Sequence, residues 1–526
     1  MGRAYDNNQS LQDKITTGAN VLADNVASTL GPKGRNVLLQ EKGKAPFITK
    51  DGVTVAAFVS LDDPFENAGA QIIKQAAVET NNSAGDGTTT STVLARAIFA
   101  ESQKFIASGV SPIELQRGID LTVREVVQNL KEMSIPVSSI EDIQHIATVS
   151  SNNDVAVGKL ISMAYDRVGQ DGSITIEESR SVDTSLDVTE GFSFAGGYCA
   201  GAFVTDERRA IMHHPEPLVL VTDYRISNVE QILPVLEMVA REGRPLVIVA
   251  EDIEGQALAA LIMNAMRGTL KVAAIKAPYY GEERRNLLED LAISVGAVFV
   301  SRESGRKLQD AQMIDFGTAD FIESDKHRTI LVGGAADIEQ VEGKIESLKA
   351  EIEKTESLEA CDAIQQRIVR LASGVAVIRV GGATEVEMIE KKHRIEDALE
   401  AVRAAQDEGV VPGGGTALLR ACQKICITTD GAGDQAAGAM IVKNACYAPI
   451  RQMAINGGES PDLIVREVLE QELGTGWDFR NNELTNLVDS GIIDPVKVSR
   501  CALQNAASCA GTLITTNFGI IQTEDK

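Results

Sequence analysis

Both ends of the chain carry apolar residues at helical spacing, while the middle alternates short apolar runs with helical stretches. This contrast limits the possible folds more than any other feature of the sequence. Residues 11–30 place Leu11, Ile15, Val21, Leu22 and Val26 at mixed three- and four-residue steps, and residues 65–82 and 91–108 continue the pattern. It returns after residue 415, in 438–456 and 496–513. Between about 190 and 375 come Leu218-Val219-Leu220-Val221, Leu246-Val247-Ile248-Val249, Val272-Ala273-Ala274-Ile275 and Val298-Phe299-Val300. Short apolar runs separated by helices predict an α/β domain with at least partly parallel strands. A chain of 526 residues also exceeds the roughly 250–300 that one core can serve. The two ends are therefore expected to form one discontinuous helical domain, 1–133 with 409–526. The segment 190–375 is then an insertion, joined through 134–189 and 376–408.

Within the insertion, Ile338, Val341, Ile345, Leu348 and Ile352 step by three or four, as do Ile364, Ile368 and Leu371. This predicts a helical hairpin over 338–371. A strand, Val375 to Val380, should follow, then a long helix over 385–408 closed by Gly409.

Composition narrows the function. The charge is 50 − 75 = −25, which repels phosphate backbones and argues against nucleic acid. Seven cysteines (199, 361, 422, 426, 446, 501 and 509) form no C-x-x-C pair, and only five histidines exist. This suits a reducing compartment better than a disulfide framework or a zinc site. The pair His213-His214 before Pro215 reads as a loop. No apolar run reaches the roughly 18 residues of a membrane helix. The first residues, Met1-Gly2-Arg3-Ala4-Tyr5-Asp6, show neither a signal nor a transit pattern. The expectation is a soluble, cytoplasmic protein.

Chemistry concentrates at Gly85-Asp86-Gly87-Thr88-Thr89-Thr90, between two predicted helices. Glycines let the backbone approach a ligand, and hydroxyls at a helix start join unpaired N–H groups that attract anions. Asp86 would repel a phosphate unless a cation lay between them. Mg²⁺ suits that place, because it binds through one or two carboxylates plus phosphate oxygens. In isolation such a run is more simply a loop with a helix cap, and no Walker A sequence is present. Three further runs change the weight: Thr29-Leu30-Gly31-Pro32-Lys33-Gly34, Thr49-Lys50-Asp51-Gly52-Val53-Thr54 and Val410-Val411-Pro412-Gly413-Gly414-Gly415.

With Ile395-Glu396-Asp397-Ala398-Leu399 and Gly491-Ile492-Ile493-Asp494-Pro495, these runs make the chain resemble the group I chaperonins, the bacterial and organellar Hsp60 family. The resemblance extends from about residue 10 to residue 516. It implies a multidomain α and α/β fold with a mostly helical equatorial domain, a small intermediate domain and an α/β apical domain. It also implies ATP, Mg²⁺ and K⁺ as ligands. Asp86 would hold Mg²⁺, and Gly31 with Gly87, Thr88, Thr89 and Thr90 would cradle the phosphates. Thr29, Leu30 and Pro32 would line the same pocket, and Lys50 would lie by the phosphates and the K⁺ ion. Asp397 would orient or activate the attacking water, assisted by Asp51. Gly414 and Asp494 would meet the nucleoside.

Family members usually carry Tyr-Asn-Ala-Ala on the adenine side, where this chain has Trp477-Asp478-Phe479-Arg480. Asp478, Phe479 and Arg480 would thus contact the base with altered affinity or specificity.

A second, apolar constellation lies on the predicted helices 228–241 and 254–267. By resemblance, Leu233, Leu236, Leu258, Ile262 and Met263 form a groove for non-native polypeptides, with Tyr198 and Phe203 from a neighbouring loop. Exposed apolar patches mark interaction sites, and Met adapts to varied partners. The usual Leu-Ser-Pro-Tyr-Phe loop reads Cys199-Ala200-Gly201-Ala202-Phe203 here, which predicts altered client or co-chaperonin preference.

The resemblance implies an ATP-dependent chaperone acting as a homo-oligomeric, sevenfold ring with a co-chaperonin of the Hsp10 type. A divergent scaffold or holdase with weakened ATPase is the alternative. The chain ends in Ile520 to Lys526 without a Gly-Gly-Met repeat, and Ser460 stands where many members carry an acid. Arg451 is expected to lose its partner there, which makes a single or loosely paired ring an expectation too.

Overall fold

The computed structural model describes residues 2–523 apart from 42, 44, 45, 152, 170–172, 180, 208, 353–356, 373 and 426–432. Cys426, the tip of the 338–371 hairpin and the last three residues lie outside them. The chain divides into two compact units, one of residues 1–163, 178–183 and 380–526 and one of 164–177 and 184–379. The expected insertion 190–375 falls wholly in the second. The expected connecting segments do not separate as a third unit: 134–163 and 380–408 group with the helical ends.

The first unit is a helical pack. Helices Asn8–Ala27, Pro64–Ala84, Thr88–Ala107, Pro112–Glu132 and Val496–Ile514 enclose a core of Leu22, Ile73, Leu94, Ile98, Ile119 and Leu503, all fully buried. Small residues let these helices approach closely: a Cβ on Gly18 would stand 1.8 Å from the Glu66 carbonyl oxygen. Strand Gly2–Asn7 pairs antiparallel with Phe518–Thr523 and ties the two ends of the described chain together. The pattern 438–456 is two helices rather than one, Gly433–Ala445 and Ala448–Gly457. Pro449 cannot continue a helix interior but fits the first turn of a new one.

In the second unit, strands Leu218–Val221, Leu246–Ala250 and Val272–Lys276 are parallel, with Gly317–Thr318 antiparallel at one edge. Almost every residue of the three parallel strands is buried, as expected for strands covered on both faces. A second, six-stranded sheet runs Ser173–Glu178, Gly374–Val380, Ser185–Phe194, Thr329–Val332, Phe321–Ser324, Met212–Pro215. The hairpin is present as helices Ile338–Ile352 and Leu358–Ala372. The helix Glu385–Glu408 ends at Gly409, whose N–H donates to the Ala405 carbonyl.

Three expectations need correction. Val298 to Val300 is not a strand; only Val300 makes a bridge, to Thr222. His213-His214 is not a loop but part of the edge strand Met212–Pro215, where Pro215 at the end is tolerated. The helix expected over 228–241 starts only at Leu233, after a 3-10 turn Val229–Gln231, because Pro234 sets the first turn.

Candidate functional site

Two cavities of the helical unit gather the polar motifs. The smaller, about 160 Å³, is lined by Thr29, Leu30, Gly31, Lys50, Asp51, Asp86 to Thr90 and Asp397. The larger, about 430 Å³, is lined by Pro32, Gly414, Asp478, Phe479, Arg480 and Asp494. Leu30, Gly31, Asp86, Gly87 and Thr90 line both, so together they form a continuous cleft.

Local sequence explains each wall. Gly85 and Gly87 have φ of 71° and 86°, the left-handed region that glycine enters without strain. They end one helix and open the next at Thr88, so its free N–H groups face the smaller cavity at the positive end of the helix dipole. The Thr29 hydroxyl lies 3.3 Å from that of Thr89. The turn after Thr29 is pinned by Asn456, which donates to the Ala27 and Leu30 carbonyls at 2.9 Å, and by Lys50 Nζ on the Gly31 carbonyl at 3.0 Å. Gly52 is required by closeness: a Cβ there would come within 2.5 Å of the Thr89 hydroxyl and 2.7 Å of that of Thr88.

Asp51 has a structural task here. Its carboxylate accepts from the Val53 and Thr54 amides at 3.1 Å, capping helix Gly52–Phe58, while it also lines the cavity. Asp494 lies on strand Ile493–Pro495, which pairs with Val410–Pro412. A Cβ on Gly413 would approach its Oδ1 to 3.0 Å.

Electrostatics set the character of the cleft. Burial pushes the Asp86 carboxyl up, against the Gly87 N–H bond and with the Asp51 charge. Burial, then the charge of Asp86, raises Asp494 to about 6. Burial lowers Lys50, helped by Arg394. Among the described residues, no three His, Cys, Asp or Glu side chains converge as a self-sufficient metal cage.

Sequence reasoning missed part of the wall. Glu390, His393 and Arg394 line the smaller cavity with Asp397. Their spacing of three and four puts all four on one face of helix Glu385–Glu408, a signal readable from the sequence. Helical phase also separates Asp397 from Glu396, which turns inward and is 4% exposed. Arg394 donates to Glu390 at 2.6 Å and brings a second cation, beside Lys50, to this cavity.

At Asp478 to Arg480 the side chains have structural work. Asp478 accepts from the Arg480 N–H at 2.7 Å and from Asn481 Nδ2 at 2.8 Å, so its carboxylate shapes a turn. Phe479 is buried in a cluster with Ile450, Met453 and Val468. Arg480 is exposed at the mouth of the larger cavity.

In the α/β unit, Leu233 and Met263 are 45% and 47% exposed, and Leu258 and Ile262 are half-buried. Met266, on the same helix but outside the expected groove, is 73% exposed. Leu236 and Phe203 are corrections: both are core residues, packed with Val235, Val239 and Leu261 in one cluster, and offer no surface. Tyr198 is half-buried, its hydroxyl donating to the Ala210 carbonyl at 3.0 Å. Within the chain, Arg451 pairs with Asp462 at 2.8 Å and lies over the Tyr447 ring. No helix among the described residues is long and apolar enough to cross a membrane.

Comparison with known proteins agrees with this architecture. The family model described as TCP-1/cpn60 chaperonin family matches residues 22–524. Two crystal forms of the chaperonin gp146 from the bacteriophage EL 2 (Pseudomonas aeruginosa), both in the presence of ATP-BeFx, are similar in structure. At 23% identity each covers 99% of this chain and 99% of its own, with TM-scores of 0.66 and 0.60. The fold is that of a chaperonin.

Proposed function

The chain belongs to the TCP-1/cpn60 chaperonin family, and on that footing we propose that it is an ATPase whose turnover drives binding and release of non-native polypeptides. One observation carries this reading. A helix N-terminus, two cations (Lys50 and Arg394) and four carboxylates (Asp51, Asp86, Glu390 and Asp397) line a single small cavity, an arrangement suited to a metal-bound triphosphate.

The N–H groups and hydroxyls of Thr88 to Thr90 receive phosphate oxygens at the positive end of their helix. Asp86 would hold Mg²⁺, which would neutralise charge on the phosphates. Asp397 accepts a hydrogen bond from the attacking water and takes its proton, while Asp51 keeps the opposite wall in place as a helix cap. Asp494 and Gly414 bind the ribose. K⁺ would sit near Lys50, a role that rests on the family resemblance.

Hydrolysis times the exposure of the groove of Leu233, Leu258, Ile262 and Met263, with nucleotide favouring one of two arrangements of the connecting segments. The active form is a sevenfold cytoplasmic ring that takes a co-chaperonin of the Hsp10 type. The two-oxygen use of Asp478 in its own turn and the burial of Phe479 favour a second reading, a holdase with weakened ATPase. Purified protein is tested by electron microscopy with and without ATP, alongside release of a captured unfolded polypeptide. Rings that release it only during ATP turnover are expected. Capture without turnover would select the second reading, and a monomer that binds no unfolded chain would overturn both.

A further inference from the structure

A cavity of about 400 Å³ in the α/β unit plays no part in the reading above. It lies where helix Leu358–Ala372 meets the six-stranded sheet, and its volume is within the range of small-ligand sites. On the helix, Gln365, Gln366, Val369 and Arg370 line it, four positions of one face, while Ile364, Ile368 and Leu371 face the core. On the sheet side, Ser173, Ser193 and Arg328 line it.

Two features point to an anion. The chain as a whole carries a charge of −25, yet the described lining residues include two arginines and no carboxylate. Arg370 also has no ion pair among the described residues. Independently, Ser173 is 3% exposed, and its Oγ has no hydrogen-bond partner among them. A buried hydroxyl left unpaired is unfavourable, and a ligand oxygen would satisfy it.

We propose that this cavity, walled by Arg370, Arg328, Gln365 and Ser173, is a second ligand site that binds a small oxyanion, a phosphate or a polycarboxylate. The guanidinium groups supply paired, planar donors suited to either oxyanion, and the Gln365 amide and Ser173 hydroxyl complete the polar wall.

Calorimetric titration of the full chain with inorganic phosphate and with citrate, in buffer free of Mg²⁺ and nucleotide, tests this, and variants of this cavity separate its signal from that of the nucleotide cleft. Binding of at least one anion is expected. Arg370→Gln should weaken it about tenfold. Ser173→Ala should also weaken it, with a melting temperature equal to or above that of the parent chain. Both variants should hydrolyse ATP at the parental rate, and Arg370→Lys should restore part of the binding. No binding of either anion up to about 10 mM, or unchanged affinity in folded Arg370→Gln and Ser173→Ala, would overturn the proposal. So would an acidic peptide that binds where neither small anion does, since that would assign the cavity to a protein partner.

Discussion

Asp494 carries the electrostatic imprint of Asp86: after burial, the Asp86 carboxylate is the next cause that lifts the Asp494 carboxyl to about 6. Asp51 in turn raises Asp86, and buried acids that raise one another's cost of ionisation in such a chain form a place where a divalent cation relieves repulsion. Asp86→Asn is therefore expected to leave the nucleotide-free chain at least as stable, because it removes a desolvated charge. The same change should weaken Mg-ADP by about tenfold or more. Melting curves and calorimetry on one preparation measure both, and a variant with parental Mg-ADP affinity would remove Asp86 from the metal.

The groove separates by exposure. Leu233→Ser and Met263→Ser should reduce capture of an unfolded polypeptide and leave both melting temperature and ATP turnover unchanged. Leu236→Ser, one helical turn from Leu233 but buried, should instead destabilise the α/β unit by about 2–4 kcal/mol. Denaturation paired with a capture assay distinguishes them.

His214 predicts a pH dependence. Burial, then His213 and Lys271, lowers its pKa from 6.5 to about 4, and its Nε2 has no hydrogen-bond partner among the described residues. A base with a depressed folded pKa contributes stability that is present above its unfolded value. That stability is lost as pH falls from about 6.5 toward 4, because the unfolded chain takes up the proton first. The loss should amount to about 3 kcal/mol. Unfolding measured between pH 7.5 and 4.5 should therefore show a steeper decline than in His214→Phe; parallel slopes would contradict it.

Much of the fold was legible because its signals are local. Apolar periodicity marked Asn8–Ala27 and Thr88–Ala107, and Gly409 marked the end of Glu385–Glu408. Tertiary pairing hid the rest. Nothing local shows that Gly2–Asn7 would meet Phe518–Thr523, or that a His-His-Pro segment would become an edge strand beside Phe321–Ser324. The motifs of the cleft were visible only together: Gly85 to Thr90 alone reads as a capped loop, and the runs at 29–34, 49–54 and 410–415 gave it its meaning. Less visible was the dual use of side chains. Asp51 caps its own helix, Asp478 closes its own turn, and Phe479 fills a core. Only packing reveals that Phe203 and Leu236 face inward while Met266 faces out.

The central claim is that Asp397 acts on the attacking water, not on nucleotide binding. Single-turnover hydrolysis by Asp397→Ala tests it most directly, with ATP affinity measured on the same sample. The expected result is affinity within about twofold of the parent chain and hydrolysis slowed about 10²–10⁴-fold, the usual contribution of a positioned acid or base. Hydrolysis at the parental rate with intact binding would contradict the claim.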